Sequence, residues 1–141
     1  MRKRFLAVLL ALTLTVAMVP EAFAVDSGSI TDISGHWAED AIRWALEGDV
    51  FKGVSETSFQ PNTPMTRGMF VTVLGRKSNV EQSLYTEQQF EDVKAGQYYA
   101  PYVNWAASNG IVNGTGAGKF SPDAPITREQ IAKILYGYAQ K

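Results

Sequence analysis

The segment "PITREQIAKIL" (Pro125–Leu135) repeats the opening Pro-x-Thr-Arg and the final leucine of "PMTRGMFVTVL" (Pro64–Leu74), which lies 125 − 64 = 61 residues upstream. The register extends without a gap over Trp44–Leu74 and Trp105–Leu135, and nine of these 31 pairs are identical. The identical pairs are Trp44/Trp105, Ala45/Ala106, Gly53/Gly114, Phe59/Phe120, Pro61/Pro122, Pro64/Pro125, Thr66/Thr127, Arg67/Arg128 and Leu74/Leu135. Such a repeat decides the architecture, since each copy is one unit that must pack on its neighbour.

Each copy is predicted to be a helix, an irregular loop and a second helix. Apolar residues at i, i+3, i+4 spacing indicate first helices over 38–46 and 99–107, ended by Gly48 and by Asn109-Gly110. The loops "VFKGVSETSFQPNTP" and "IVNGTGAGKFSPDAP" carry the Gly, Pro, Ser and Asn that disfavour helix. Second helices are predicted to start at Thr66 and Thr127. The predicted fold class is therefore all-α, and its apolar faces comprise Phe70, Val73, Leu74, Ile131, Ile134, Leu135 and the two tryptophans Trp44 and Trp105.

The first 24 residues have the pattern of a signal peptide. A basic start is followed by the apolar run Phe5–Val19 and by Ala22-Phe23-Ala24, so cleavage is expected after Ala24. The run is short for a membrane span, and none is expected after cleavage. The remaining chain divides into a first repeat at 25–77, a polar linker without periodicity at 78–89, and a second repeat at 90–141.

Composition argues against several classes of function. Without residues 1–24, Lys plus Arg number 13 − 3 = 10 and Asp plus Glu 14 − 1 = 13, so the net charge of −3 does not favour a nucleic-acid partner. One histidine and no cysteine cannot build a Cys/His nucleophile pair or a closed zinc site. "GTGAGKF" lacks the spacing of a phosphate loop, and no carboxylate pair stands out. We therefore expect no enzyme activity, no metal and no cofactor.

The Thr-Arg pairs invite both a structural and a functional interpretation. Thr127 with Gln130 is a capping box, whereas Met69 breaks the box that Thr66 would start. Capping does not explain Arg67 and Arg128, because a cation in the first turn faces the positive end of the helix dipole. Each arginine could form a salt bridge to an acid, or could join exposed N–H groups in binding a carboxylate.

Other paired residues leave alternatives open. Trp37 and Tyr98 precede the first helices and could pack in the core or form a platform for a ligand. Gly53 and Gly114 could serve a turn with positive φ or allow a ligand close to the backbone. Asp32 and Asp92 could cap helices, or could accept hydrogen bonds from a sugar hydroxyl or from the other repeat.

The two copies resemble S-layer homology (SLH) repeats. The resemblance covers Asp32–Leu74 and Phe90–Gly137 and rests on Phe-x-Asp-Val, Asn-Gly-Ile-Val-x-Gly, Phe-x-Pro and Ile-Thr-Arg at the family's spacing. Family members commonly group three repeats into a pseudo-threefold helical prism. The family tetrad Thr-Arg-Ala-Glu is replaced here by Thr66-Arg67-Gly68-Met69 and by Thr127-Arg128-Glu129-Gln130.

The resemblance implies a non-enzymatic anchor at the cell surface, which binds secondary cell-wall polysaccharide carrying pyruvate ketals. The residues to which it assigns this ligand are Arg67, Arg128, Gly53, Gly114, Thr66, Thr127, Asp32, Asp92, Trp37 and Tyr98. Arg128 is expected to contribute more to ligand binding than Arg67, because the second repeat has an intact capping box and a Gly-rich loop. An alternative is an interaction module that joins S-layer proteins without contacting glycan.

Only two repeats are visible, and each buries little apolar surface alone. We therefore expect association with a second copy or with another SLH chain.

The first testable prediction concerns export. Because Ala22 and Ala24 place small residues at the cleavage site, the protein exported by a secreting bacterium should have the mass of residues 25–141. Intact-mass spectrometry of the culture medium and wall extract measures this. An uncut chain in the membrane fraction would contradict it.

Overall fold

The computed structural model describes residues 28–141, so the signal-peptide prediction lies outside the described residues. This part of the chain contains four α-helices, and no strand longer than an isolated bridge. The helices are α1 (Glu39–Glu47), α2 (Arg67–Lys77), α3 (Ala100–Ser108) and α4 (Arg128–Ala139). The all-α prediction is confirmed, and so are the starts of α2 and α4, whose N-cap residues are Thr66 and Thr127.

The second helix of repeat 1 packs on the first helix of repeat 2. α2 contacts α3, and their side chains belong to one core that includes Val71, Leu74, Tyr102 and Val103. Gly75 makes this approach possible, because a Cβ there would collide with the Tyr102 ring. A smaller core of Ile30, Ile33, Ile42 and Leu46 lies under α1. The larger core therefore joins the two repeats.

An aspartate fastens the loop of each repeat. The Asp92 carboxylate accepts hydrogen bonds from the backbone N–H groups of Phe120 and Ser121, both at 2.8 Å. Asp32 accepts equivalent bonds from Phe59 and Gln60, each at 2.8 Å. Neither aspartate caps a helix, since the N-cap residues of α1 and α3 are Ala38 and Tyr99. The described hydrogen bonds of these carboxylates therefore lie within each aspartate's own repeat, which was not among the alternatives left open by the sequence.

The segment between the repeats is ordered. It forms a single 3₁₀ turn over Gln82–Leu84, which contacts α3. The buried Asn104 side chain joins it to α3 by accepting from the Gln89 N–H (3.2 Å) and donating to the Tyr85 carbonyl (3.1 Å). The segment is held by polar hydrogen bonds, which require no periodic apolar residues. The sequence therefore predicted only a linker there.

The prediction that Trp44 belongs to the core is wrong, since its side chain is 69% exposed. Its counterpart Trp105 is partly buried against Tyr138, with ring centroids 6.4 Å apart. The position equivalent to Tyr138 in repeat 1 is Lys77 (138 − 61 = 77), which provides no aromatic partner. The equivalent helices also differ at Leu135, which is 43% exposed although Leu74 is buried.

Gly75→Ala should destabilise the protein although alanine favours helix. The added methyl group would meet the Tyr102 ring, and overpacking of this kind costs about 1–3 kcal/mol. Chemical denaturation measures the loss as a lower free energy of unfolding. In a protein that already carries Tyr102→Ala, Gly75→Ala should cost less than it does in wild type. If Gly75→Ala were stabilising in the wild-type background, α2 and α3 could not pack as described.

Acid should weaken the fold partly through Asp92. Burial by itself raises the pKa of its carboxyl, but the hydrogen bonds from Phe120 and Ser121 outweigh burial and the pKa is lowered. The stabilisation is therefore complete above the unfolded pKa of about 3.9 and is lost as pH falls below it. Melting temperatures between neutral pH and acid should decline less for Asp92→Asn than for wild type. The exposed Glu87→Gln serves as control, and an unchanged slope in Asp92→Asn would contradict this role.

Candidate functional site

A groove of about 330 Å³ lies where repeat 1 meets repeat 2. Repeat 1 contributes Arg67 from the start of α2. The rest of the lining comes from the loop and second helix of repeat 2: Ile111, Val112, Asn113, Gly114, Thr115, Glu129, Gln130, Lys133 and Ile134. The groove is therefore formed mostly by repeat 2, and the packing of the repeats adds Arg67 to its wall.

Arg67 is only 5% exposed. Its Nε donates to the Phe120 carbonyl at 2.9 Å, and its guanidinium carbon lies 4.6 Å from the centre of the Phe120 ring. Burial lowers the pKa of Arg67, and the nearby Asp92 carboxylate opposes that shift. An arginine keeps its charge in proteins, so a cation lies at the wall of the groove. The salt bridge considered from the sequence is not formed with any acid of residues 28–141.

The terminal nitrogens of Arg67 are available to a ligand. Among the described residues they have no hydrogen-bond partner, whereas every fully buried side-chain nitrogen or oxygen there has one. They must therefore reach solvent, and the groove that Arg67 lines is where they can do so. A guanidinium offers several N–H donors in a planar fork, which suits a carboxylate.

The backbone at the start of α2 is not available in this way. The N–H groups of Arg67 and Gly68 donate to Ala124 and Pro122 of repeat 2, at 3.0 and 2.8 Å. The N–H of Met69 donates to Thr66 Oγ1 at 3.2 Å. The combined site of free N–H groups and guanidinium predicted from the sequence is therefore not formed at this helix, because repeat 2 occupies its backbone donors.

The start of α4 is exposed to solvent. Thr127 and Gln130 form the predicted capping box, with contacts of 3.3 and 3.4 Å. Arg128 is exposed and does not line the groove. The geometry thus places Arg67 rather than Arg128 at the inter-repeat groove.

The two matched glycines have different roles. Gly114 lines the groove, and a Cβ there would lie 2.5 Å from the Lys119 carbonyl oxygen. Gly53 has a φ of +73°, and a Cβ would lie 2.8 Å from the Ser58 carbonyl oxygen. Both positions therefore require glycine for their own loops, and only Gly114 also borders the groove.

The remaining residues assigned from the sequence lie outside the groove lining. Trp37 is 92% exposed and lies beside His36, with ring centroids 5.6 Å apart. Tyr98 is about half exposed and lies next to the buried Tyr99, with ring centroids 5.1 Å apart. Burial, followed by the nearby Asp123, raises the pKa of Tyr98. The structure therefore brings together Arg67 and Gly114 from the assigned set.

Several polar residues of the groove were not predicted from the sequence, and Lys133 is the cation among them. Lys133 lies one turn after Glu129 and Gln130, so the three share a face of α4. The spacing of these three residues is typical of a polar stripe on one face of a helix, and could have been recognised in the sequence. Its proximity to Arg67 could not have been found, because the packing of α2 on repeat 2 creates it.

Residues 28–141 contain no group of three His, Cys, Asp or Glu side chains able to hold a metal ion. None of the helices in that range is both long and apolar enough to cross a membrane.

The chain matches known proteins over most of its length. The family model for the S-layer homology domain matches residues 29–68 and 89–132. Similar proteins include an amylopullulanase of Thermoanaerobacterium thermosulfurigenes, 33% identical over 80% of this chain and 6% of that protein. The surface-layer 125 kDa protein of Lysinibacillus sphaericus is 31% identical over 95% of this chain and 11% of its own length. The S-layer protein sap of Bacillus anthracis is 29% identical over 87% of this chain and 15% of its own length.

The chain thus spans a small fraction of each of these relatives. No solved structure matches the chain. The two family matches coincide with the two packed repeats, including the pairs Thr66-Arg67 and Thr127-Arg128. The chain belongs to the S-layer homology domain family, with two copies of that domain, and is a secreted protein of the cell surface.

Proposed function

We propose that this protein anchors itself non-covalently to the bacterial cell wall by binding an acidic secondary cell-wall polysaccharide, carrying pyruvate ketals, in the groove between its repeats. The observation that carries the proposal is the Arg67 guanidinium, whose terminal nitrogens are unpartnered within the described chain and border this groove. Family membership supports the same conclusion.

The charges of the groove favour a single acid group on a polymer whose other groups are uncharged. Arg67 and Lys133 provide two cations, and Glu129 provides one acid. The burial of Arg67 shields it from water, which strengthens its ion pair with a ligand carboxylate relative to the same pair in bulk solvent. A pyruvate ketal places one carboxylate on an otherwise hydroxyl-rich sugar. Arg67 and Lys133 are therefore assigned to the carboxylate, and Glu129 to a sugar hydroxyl.

The remaining lining suits a carbohydrate. Asn113, Thr115 and Gln130 bring amide and hydroxyl groups that can exchange hydrogen bonds with sugar hydroxyls. Ile111 and Val112 supply apolar surface, which can pack against the C–H face of a ring. A volume of about 330 Å³ is at the small end of ligand pockets, which fits a short segment of a longer polymer.

Removing either cation should weaken wall binding. A charged hydrogen bond is worth about 1.5–3 kcal/mol, so Lys133→Ala should reduce affinity for pyruvylated walls by about tenfold or more. Because the Lys133 side chain is exposed, the melting temperature of the Lys133→Ala protein should stay near that of wild type. Arg67→Ala should reduce binding at least as much, and should also destabilise the fold because Arg67 is buried at the repeat boundary. Co-sedimentation with purified walls measures binding.

The matched control is Lys77→Ala, which removes an exposed lysine at the end of α2, away from the groove. Walls stripped of ketal by mild acid provide the second comparison, and wild-type protein should sediment with them much less. Equal sedimentation with stripped and intact walls would refute carboxylate recognition. If Lys133→Ala and Lys77→Ala both bound like wild type, the binding site would lie outside this groove.

A further inference from the structure

We infer that α4 of one molecule docks on repeat 1 of a second copy, so that the contact between repeats inside the chain is repeated between chains. Arg128 is thereby delivered to a second groove bordered by Gly53. The inference extends the proposed function by adding a binding site, but the docking itself does not depend on the ligand.

The contact inside the chain defines what such an interface requires. The start of α2 donates through the N–H groups of Arg67 and Gly68 to carbonyls of the repeat 2 loop. Arg67 Nε donates to a third carbonyl of that loop. The accepting residues are Phe120, Pro122 and Ala124.

Both halves of this interface are present a second time and are unpaired. The positions of repeat 2 equivalent to the donors Arg67 and Gly68, 61 residues further on, are Arg128 and Glu129. Their N–H groups have no acceptor within residues 28–141. The same shift converts the accepting residues to Phe59, Pro61 and Thr63, whose carbonyls receive no hydrogen bond from the described chain. One molecule therefore carries an unused donor half at α4 and an unused acceptor half in the repeat 1 loop.

The helix faces are complementary in size as well. Inside the chain, Gly75 of α2 lies against Tyr102 of α3. At the equivalent positions, α4 carries Tyr136 and α1 carries Ala41. The large and small side chains have exchanged helices, so α4 can lie on α1 of another copy with the ring and the small residue again in contact.

The side chains that this contact would cover are now exposed to solvent. Leu135 is 43% exposed and Tyr136 64% exposed, although the corresponding positions on α2 are buried. Trp37 corresponds to Tyr98, which lies near Thr66 at the internal boundary. In the second copy, Trp37 would meet Thr127, which accounts for an aromatic side chain left at the surface.

A second copy would also complete a second groove. Inside the chain, Arg67 borders a groove whose loop contains Gly114. Docking places Arg128 beside the equivalent loop containing Gly53, within the repeat 1 of the other molecule. Because the contact joins two different surfaces, it leaves one donor half and one acceptor half free, and assembly can continue with concentration.

Site-directed crosslinking tests this arrangement. The chain has no cysteine of its own, so Tyr136→Cys and Ala41→Cys can be prepared as separate proteins, mixed, and treated with a short bis-maleimide. The mixture should give a crosslinked heterodimer. The matched control mixes Ala41→Cys with Leu84→Cys, because Leu84 is an exposed leucine of the 3₁₀ turn, outside both surfaces. Equal yields from the two mixtures would overturn the inference.

Sedimentation equilibrium of the unmodified protein gives an independent measurement, without wall polymer. The average mass should rise with concentration, and Tyr136→Lys should weaken association by about tenfold or more, since it places a charge against an apolar surface. Leu84→Lys should leave association unchanged. A monomeric mass at every concentration would refute the docking, and would leave wall binding at the Arg67 groove unaffected.

Discussion

The structure depends on one contact, in which the start of α2 is inserted into the loop of the following repeat. Three donors of Arg67 and Gly68 meet three carbonyls of that loop, and the arginine side chain is buried in the process. A cation at a helix start is electrostatically unfavourable by itself. Here the loop carbonyls and the Phe120 ring provide the partially negative surroundings that stabilise it. The same contact brings Arg67 to the wall of the groove, beside the packing of α2 on α3.

The same constraint explains why identical residues behave differently in the two copies. Arg67 and Arg128 occupy equivalent positions, yet one is buried and the other exposed. The difference lies in what comes next, since α2 has a following repeat to enter and α4 has none within the described residues. Leu74 and Leu135 differ for the same reason. A repeat in this protein is therefore completed by its neighbour, and its sequence alone does not determine which of its residues are buried.

Features that depend on local chemistry could be predicted from the sequence. Helix starts at Thr66 and Thr127 followed from capping preferences, and the all-α class followed from apolar spacing within each copy. Features that depend on packing between repeats could not. Lys133 and Arg67 belong to different repeats, and no pattern within either copy indicates that they line the same groove. The sequence left Asp32 and Asp92 open as helix caps, as ligand contacts or as acceptors from the other repeat. In the structure each carboxylate accepts hydrogen bonds from backbone N–H groups 27 to 29 residues away in its own repeat.

Residue-resolved hydrogen exchange tests the central contact most directly. At concentrations where the protein is monomeric, the amides of Arg67 and Gly68 should be strongly protected, since both donate to carbonyls of the repeat 2 loop and exchange only when the repeats separate. The equivalent amides of Arg128 and Glu129 should exchange rapidly. If the amides of Arg67 and Gly68 exchanged as rapidly as those of Arg128 and Glu129, the repeats would be independent units, and Arg67 would not be held at the wall of the groove.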